Sequence, residues 1–174
     1  MKELSDEQLM TKVAAGNVGL LRILFERHHA HVYHFLLKMS NDKMLSEDLT
    51  QEVFYKLIKY RESYRQGKFV SWLFTIARNS LKTHWSRNQQ TFGELTPLEY
   101  GLTARQQEKK EEYSHLTKAL DRLKPDDREL LILNRIQEIK YAELAEIVQS
   151  TPGAVKTKVN RALQKLRVIY FEDI

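Results

Sequence analysis

Thr151-Pro152 is the strongest local constraint in the chain. A hydroxyl residue followed directly by proline starts a helix. The threonine Oγ accepts from an orphan backbone N–H, and proline at the first helical position lacks only an N–H that would go unpaired. Upstream, Tyr141 to Val148 reads as a short helix with Leu144, Ala145 and Val148 on one face. Downstream, Val155, Val159, Ala162, Leu163, Leu166 and Ile169 recur at spacings of three and four, which lines one face of a longer helix running to about Phe171. Its opposite face carries Lys156, Thr157, Asn160, Arg161, Gln164, Lys165 and Arg167. Between Ile147 and Tyr170 there are five Lys or Arg residues and no Asp or Glu. A short helix, a tight turn and a basic amphipathic helix fit a helix-turn-helix whose second helix enters the DNA major groove. The plain alternative is a helical hairpin with a solvated charged face.

The rest of the chain carries the same period. Six glycines and three prolines are few for 174 residues, and no extended stretch alternates apolar and polar as a half-buried strand does. The expected fold is all-α. Ser5-Asp6-Glu7-Gln8 matches a capping box opening a helix to about Ala15, where Gly16-Asn17 stops it. A second helix is expected from about Val18 to Met39, with Leu20, Leu21, Leu24, Phe25, Val32, Phe35, Leu36 and Met39 as its buried stripe. A third is expected over Ser46–Tyr60, burying Leu49, Val53, Phe54, Leu57 and Ile58, and a fourth over Phe69–Arg87. After a polar stretch without clear period, a helix from about Lys110 to Leu123 precedes Lys124-Pro125-Asp126-Asp127. Proline with two acids in the first turn starts a further helix through ELLILNRI.

This organisation predicts two small helical domains, 1–88 and 113–174, joined by a flexible linker at 89–112 that contains Gly93, Pro97 and Gly101. The formal charge of +5 leans toward an anionic partner, and its distribution says more. Ser63–Gly93 holds Arg65, Lys68, Arg78, Lys82 and Arg87 without an acidic residue, so each half has a basic zone. The absence of cysteine excludes disulfides and cysteine-based zinc sites. The N-terminus lacks the apolar core of a signal peptide, and no run reaches the length of a membrane span. A cytoplasmic location without membrane insertion is expected.

Three side-chain groupings invite a chemical reading. On the third helix Asp48, Gln51, Glu52 and Tyr55 share one face, an acidic stripe suited to a basic partner surface or simply to solvent. On the fourth, Phe74, Arg78, Lys82 and Trp85 share a face. Aromatic rings that stack on bases beside cations that meet phosphates suit single-stranded nucleic acid, and aromatics packed against a neighbouring helix are the equal alternative. On the second, His28, His29, His31 and His34 cluster with only Glu26 as a nearby carboxylate, which favours partly exposed histidines over a metal site. No nucleophile accompanies the paired carboxylates, no Ser/His/Asp arrangement stands out, and no glycine-rich phosphate loop exists. Neither catalytic residues, nor a metal, nor a cofactor is expected.

Four motifs in order resemble the bacterial sigma factors of the extracytoplasmic-function (ECF) group. Glu47-Asp48-Leu49-Thr50-Gln51-Glu52-Val53-Phe54 is similar to that family's EDLxQEVF helix, and Phe69-x-x-Trp72-Leu73-x-x-Ile76-Ala77-Arg78-Asn79 to its FxxWLxxIARN helix. Leu120-x-x-Leu123-x-Pro125-x-x-Arg128-Glu129 resembles the start of its C-terminal domain. Tyr141-x-Glu143-Leu144-Ala145 and Gly153-Ala154-Val155-Lys156-Thr157-Lys158-Val159-x-Arg161-Ala162 resemble its helix-turn-helix.

The resemblance implies a promoter-specificity subunit of RNA polymerase with no covalent chemistry of its own. By it, Asp48, Gln51 and Glu52 meet the clamp helices of the β′ subunit, and the β flap is a further part of the polymerase it contacts. Arg65, Lys68, Arg78, Asn79 and Lys82 take the −10 element, with strand opening and a base held in a protein pocket. Lys156, Lys158, Arg161 and Lys165 meet phosphates of the −35 element, and Thr157 and Asn160 meet its base edges. Core polymerase and promoter DNA are the implied partners, and an anti-sigma factor is a further one the family allows. The chain departs from the family at Thr83, where Asp is common, at Gln149, where Gly is common in the turn, and at Lys140, where Ser or Thr is common. Two other classes compete: a dimeric repressor or activator that binds duplex DNA without polymerase, and a recombinase or metal hydrolase. The first needs neither the acidic nor the basic-aromatic helix, and the second needs a nucleophile or metal cluster.

Overall fold

The computed structural model describes residues 3–65, 67–91 and 111–172, and every regular element among them is helical. Helix α1 (Asp6–Ala14) opens on a closed capping box: Ser5 Oγ accepts the Gln8 N–H at 3.1 Å, and Gln8 Oε1 accepts the Ser5 N–H at 2.9 Å. A 3-10 turn at Val18–Leu20 delays α2 (Leu21–Ser40) beyond the Val18 start its pattern suggested; Asn17 supplies no side-chain cap there. Asn41, at φ 56°, ends α2 in the left-handed region that asparagine tolerates.

Helix α3 (Lys43–Lys59) starts before the expected Ser46 because Asp42 is its cap, Oδ1 accepting the Leu45 N–H at 3.0 Å. Ser46 is instead buried, its hydroxyl donating to the Asp42 carbonyl at 2.6 Å. A 3-10 turn at Arg61–Ser63 leads to α4 (Phe69–Thr91), which passes the expected Arg87 end. Most of the linker expected at 89–112 lies outside the described residues, and both its ends are helical, in α4 and in α5 (Glu111–Asp121).

Helix α6 (Pro125–Leu131) has Pro125 in its first turn with Asp126 and Asp127. The ELLILNRI run does not stay α-helical. It widens to a π turn at Ile132–Ile136, where the Gln137 N–H reaches back to the Ile132 carbonyl at 2.9 Å. Helices α7 (Tyr141–Val148) and α8 (Pro152–Glu172) form the expected pair, and Thr151 Oγ1 accepts the Ala154 N–H at 3.2 Å. No helix of the described residues is long and apolar enough to cross a membrane.

The first half closes around Leu24, Phe35, Leu36, Leu57, Phe69 and Leu73, all fully buried, and Phe35 meets Phe74 edge-on with ring centroids 5.7 Å apart. The second half closes around Ile132, Leu133, Leu144, Val155, Val159 and Ala162. The two halves are packed together, α4 against α7 and α2 against α6. Their deepest polar contact joins Arg78 Nε to Glu129 Oε1 at 2.7 Å. Around it, Arg128 donates to the Met39 carbonyl at 3.3 Å, Asn41 Nδ2 to Asp121 Oδ1 at 3.0 Å, and His31 Nδ1 lies 3.1 Å from Gln137 Oε1. Removing one partner of a buried ion pair typically costs about 3–5 kcal/mol, because the other charge is left uncompensated.

The turn between α7 and α8 closes on Gln149 at φ 56° and ψ 55°. The Ser150 N–H bonds the Ala145 carbonyl at 2.9 Å, the long-range bond of a Schellman stop. That geometry favours glycine, so a glutamine there carries strain of about 1–2 kcal/mol, part of which glycine would give back as greater chain entropy when unfolded. Gln149→Gly is expected to raise stability by a net of about 0.5–1 kcal/mol in urea unfolding, whereas a β-branched Gln149→Val lowers it. A neutral or destabilising glycine would mean that the Gln149 side chain contributes a contact that outweighs the strain.

Candidate nucleic-acid and protein interfaces

Helix α3 is buried on the side of Leu49, Val53 and Leu57, so its other side is presented outward. Asp48, Gln51 and Glu52 are all exposed there, as their spacing suggested. Glu52 is partly neutralised by Lys56, Oε1 to Nζ 3.0 Å, and Lys56 also donates to Ser80 of α4 at 2.9 Å. Two large apolar side chains stand on the same face and extend the stripe at both ends, Met44 at 76% exposed and Tyr55 at 63%. Helical periodicity puts Met44 in line with Asp48 and Tyr55. Its relevance is not legible from an expected helix start at Ser46.

The loop before α4 is held by an unexpected element. Glu7 of α1 accepts the Phe69 N–H at 3.2 Å, capping the first turn of α4 from 62 residues away in the chain. Asp6 beside it receives Arg27 at 3.0 Å and contacts His28 Nε2 at 2.8 Å. Within the loop, the Tyr64 hydroxyl donates to the Gly67 carbonyl, and the Tyr64 ring lies 5.2 Å from Trp72. Burial, and then the carboxylates of Glu7 and Asp6, push the Tyr64 phenol up to about 12. A helix far away in sequence thus sets where the basic loop meets α4, and no local pattern signals it.

Arg65, Lys68, Asn79 and Lys82 are exposed, the first two on the loop and the last two on α4. Arg78 lies on the same side of α4, but its guanidinium is engaged by Glu129. The aromatic half of the pattern is resolved in favour of packing. Phe74 is 3% exposed in the core, and Trp85 is half-buried against it, so Phe74 is no platform for a base.

On α8, Lys156, Thr157, Lys158, Asn160, Arg161 and Lys165 are all exposed, opposite the buried Val155, Val159 and Ala162. Thr157 donates its hydroxyl proton to the Gly153 carbonyl at 3.1 Å, which leaves its oxygen as an acceptor. Lys165 pairs with Asp127 of α6 at 3.1 Å while remaining mostly exposed. Four histidines on α2 go separate ways. His28 meets Asp6, His29 stacks on Phe25 at 4.7 Å, His31 meets Gln137, and His34 sits against the Tyr33 ring. Among the described residues no three metal-ligating side chains converge.

Comparison with known proteins converges on one family. Residues 24–91 match Sigma-70 region 2, and residues 115–166 match Sigma-70, region 4. The chain is 30% identical over 167 residues to the RNA polymerase sigma factor CarQ of Myxococcus xanthus, covering 94% of this chain and 96% of that one. It is 32% identical over 154 residues to the ECF RNA polymerase sigma factor SigM of Bacillus subtilis, covering 84% and 93%. In fold it is similar to CnrH, solved in complex with the cytosolic domain of CnrY, with a TM-score of 0.78 at 20% identity over 97% of this chain and 99% of that chain. It is also similar in fold to the sigma factor RpoE of Bartonella quintana, solved in complex with the anti-sigma factor NepR, with a TM-score of 0.69 at 24% identity over 88% and 98%.

Proposed function

This chain belongs to the ECF RNA polymerase sigma factors and serves transcription initiation; we propose from that footing how its surfaces divide the work. Residues 1–88 bind core polymerase and the −10 element, 89–112 link, and 113–174 bind the −35 element. The exposed face of α3 docks on the β′ clamp helices, with Asp48, Gln51 and Glu52 meeting basic groups and Met44 and Tyr55 supplying apolar area at either end. Met and aromatic side chains concentrate in interface cores, where desolvation makes each worth more than a rim charge. The observation that carries this assignment is that α3 leaves two large apolar residues in water beside a carboxylate, Asp48, that forms no ion pair among the described residues.

The −35 duplex lies against α8. Lys156, Lys158, Arg161 and Lys165 neutralise phosphates, and Thr157 and Asn160 face base edges. Arg65, Lys68, Arg78, Asn79 and Lys82 receive the −10 strand. Contacts available only to unpaired bases favour the open state, so strand opening needs differential binding rather than covalent chemistry. The protein acts in the cytoplasm with core polymerase, including its β flap. Its exposed α3 stripe and two-part architecture also suit control by an anti-sigma factor, the kind of partner with which the B. quintana sigma factor was solved.

Run-off transcription with purified core polymerase tests the class: promoter-dependent initiation should appear only when this protein is added. Tight palindromic binding without polymerase, and no initiation, would favour a repressor instead. Asp48→Arg is expected to abolish core binding in a pull-down with helical content unchanged, and Met44→Ala with Tyr55→Ala to weaken it by tenfold or more, about 1.4 kcal/mol. Retained core binding in Asp48→Arg sinks the clamp assignment.

For the second half, Lys156→Ala and Arg161→Ala should each weaken −35 duplex binding across sequences. Each should also reduce the slope of log affinity against log salt by about 1, the signature of one lost phosphate contact. Unchanged affinity and slope at both positions would move the docking face elsewhere on the domain.

A further inference from the structure

Helix α4 follows a residue that cannot cap it. The Lys68 carbonyl accepts the Trp72 N–H at 3.3 Å, which puts Lys68 at the cap position, and an ammonium group has no lone pair to offer the first turn. The missing acceptor comes from α1: Glu7 takes the Phe69 N–H at 3.2 Å. Contacts close around that bond. Phe69 is fully buried, and the His28 ring lies 5.2 Å from its own. His28 Nε2 and Arg27 Nη1 meet Asp6 at 2.8 and 3.0 Å, and Arg27 also donates to the Leu4 carbonyl at 3.0 Å, so the start of α1 is tied to α2. Helix α1 packs on the 3-10 turn at Arg61–Ser63 as well as on α4. It therefore grips both ends of the loop that carries Arg65 and Lys68. Within the loop the Tyr64 hydroxyl donates to the Gly67 carbonyl, and burial, with the carboxylates of Glu7 and Asp6, keeps that phenol protonated.

We propose that Glu7 is a positioning residue for −10 recognition: it caps α4 from another helix and so holds the loop of Arg65 and Lys68 in register with Asn79 and Lys82. The inference rests on the assignment of that loop and α4 to the −10 strand. Two quantities separate here. Affinity for a strand comes largely from phosphate contacts, which are indifferent to base identity. A lysine on a loose loop still meets a phosphate. Choosing between bases needs groups held to within a fraction of an ångström, and a loop free to shift follows the wrong base as readily as the right one. Releasing the loop therefore costs selectivity before it costs affinity. Glu7 also fills a helix N-terminus that would otherwise accept a phosphate in any register.

The test uses holoenzyme, reconstituted from core polymerase and the full chain, with a randomised pool of single-stranded DNA. Sequencing the bound fraction reads the preference, and the amount bound reads the affinity. Wild type should enrich a defined sequence. Glu7→Ala is expected to lower that enrichment by about tenfold, within the range one base contact discriminates, while total binding changes by less than about twofold. Glu7→Gln keeps an acceptor at the same reach and should restore the preference. Tyr64→Phe, which releases the loop from within and leaves α1 intact, should lower it as Glu7→Ala does. Core binding in a pull-down should be equal to wild type in all three.

Unchanged enrichment in Glu7→Ala overturns the proposal, as does a Glu7→Gln protein as unselective as Glu7→Ala. A loss of core binding in parallel with the loss of preference also overturns it, because the cap would then support the fold at large rather than the loop. Lys68→Ala and Arg65→Ala separate the two levels. If they lower total binding while Glu7→Ala leaves the enrichment intact, the positioning role fails and the −10 assignment stands. If neither changes total binding, the assignment of the loop to the strand is itself wrong, and the proposal falls with it.

Discussion

Over residues 69–81, α4 is covered on one side by the first-half core and on another by α7, and Asn79 is the one exposed residue there; over residues 82–88 the helix is largely open to solvent. Phe69, Leu73 and Ala77 are fully buried and Leu81 nearly so, and the small polar residues Ser71 and Ser80 are buried among them. A buried hydroxyl needs a partner, and each finds one from another element: Ser80 receives Lys56 of α3, and Ser71 points at α7. The N-terminus of α4 is closed by Glu7 of α1. Helices α1, α3 and α7 are therefore all registered on α4, and the position of the acidic face relative to the basic loop follows from that one helix.

How much of this was legible follows from the range of the interactions. The Ser5 capping box, the Thr151-Pro152 start and the stripes of α2 and α8 are local, and the period of the apolar residues carried them. The acidic face of α3 was legible for the same reason. The expected start of α3 at Ser46 is late by a turn: Asp42 caps the helix by accepting the Leu45 N–H, and Ser46 is buried inside. Phe74 could not be assigned from its helix alone. On one face with Arg78 and Lys82 it suits a stacking platform and a packed core residue equally, and the partner that decides, Phe35, lies on a different helix. Glu7 on Phe69 and Glu129 on Arg78 join residues far apart in the chain, and no spacing rule reaches them. The Gln149 turn was half legible: the residue type flagged an unusual closure, and the backbone shows that it is the left-handed one.

An interface meant to hold permanently and one meant to let go are built differently. Had apolar side chains stood where Arg78 and Glu129 stand, separating the halves would expose their full area to water with nothing in return, at roughly 25 cal/mol for each Å². A buried ion pair behaves otherwise. Much of its Coulombic attraction is spent on desolvating the two charges, so the net contribution is small while both partners stay together. Removing one partner and leaving the other buried is what costs. The pair that fastens α4 to the second half thus contributes little while it is whole and is expensive to break from one side alone.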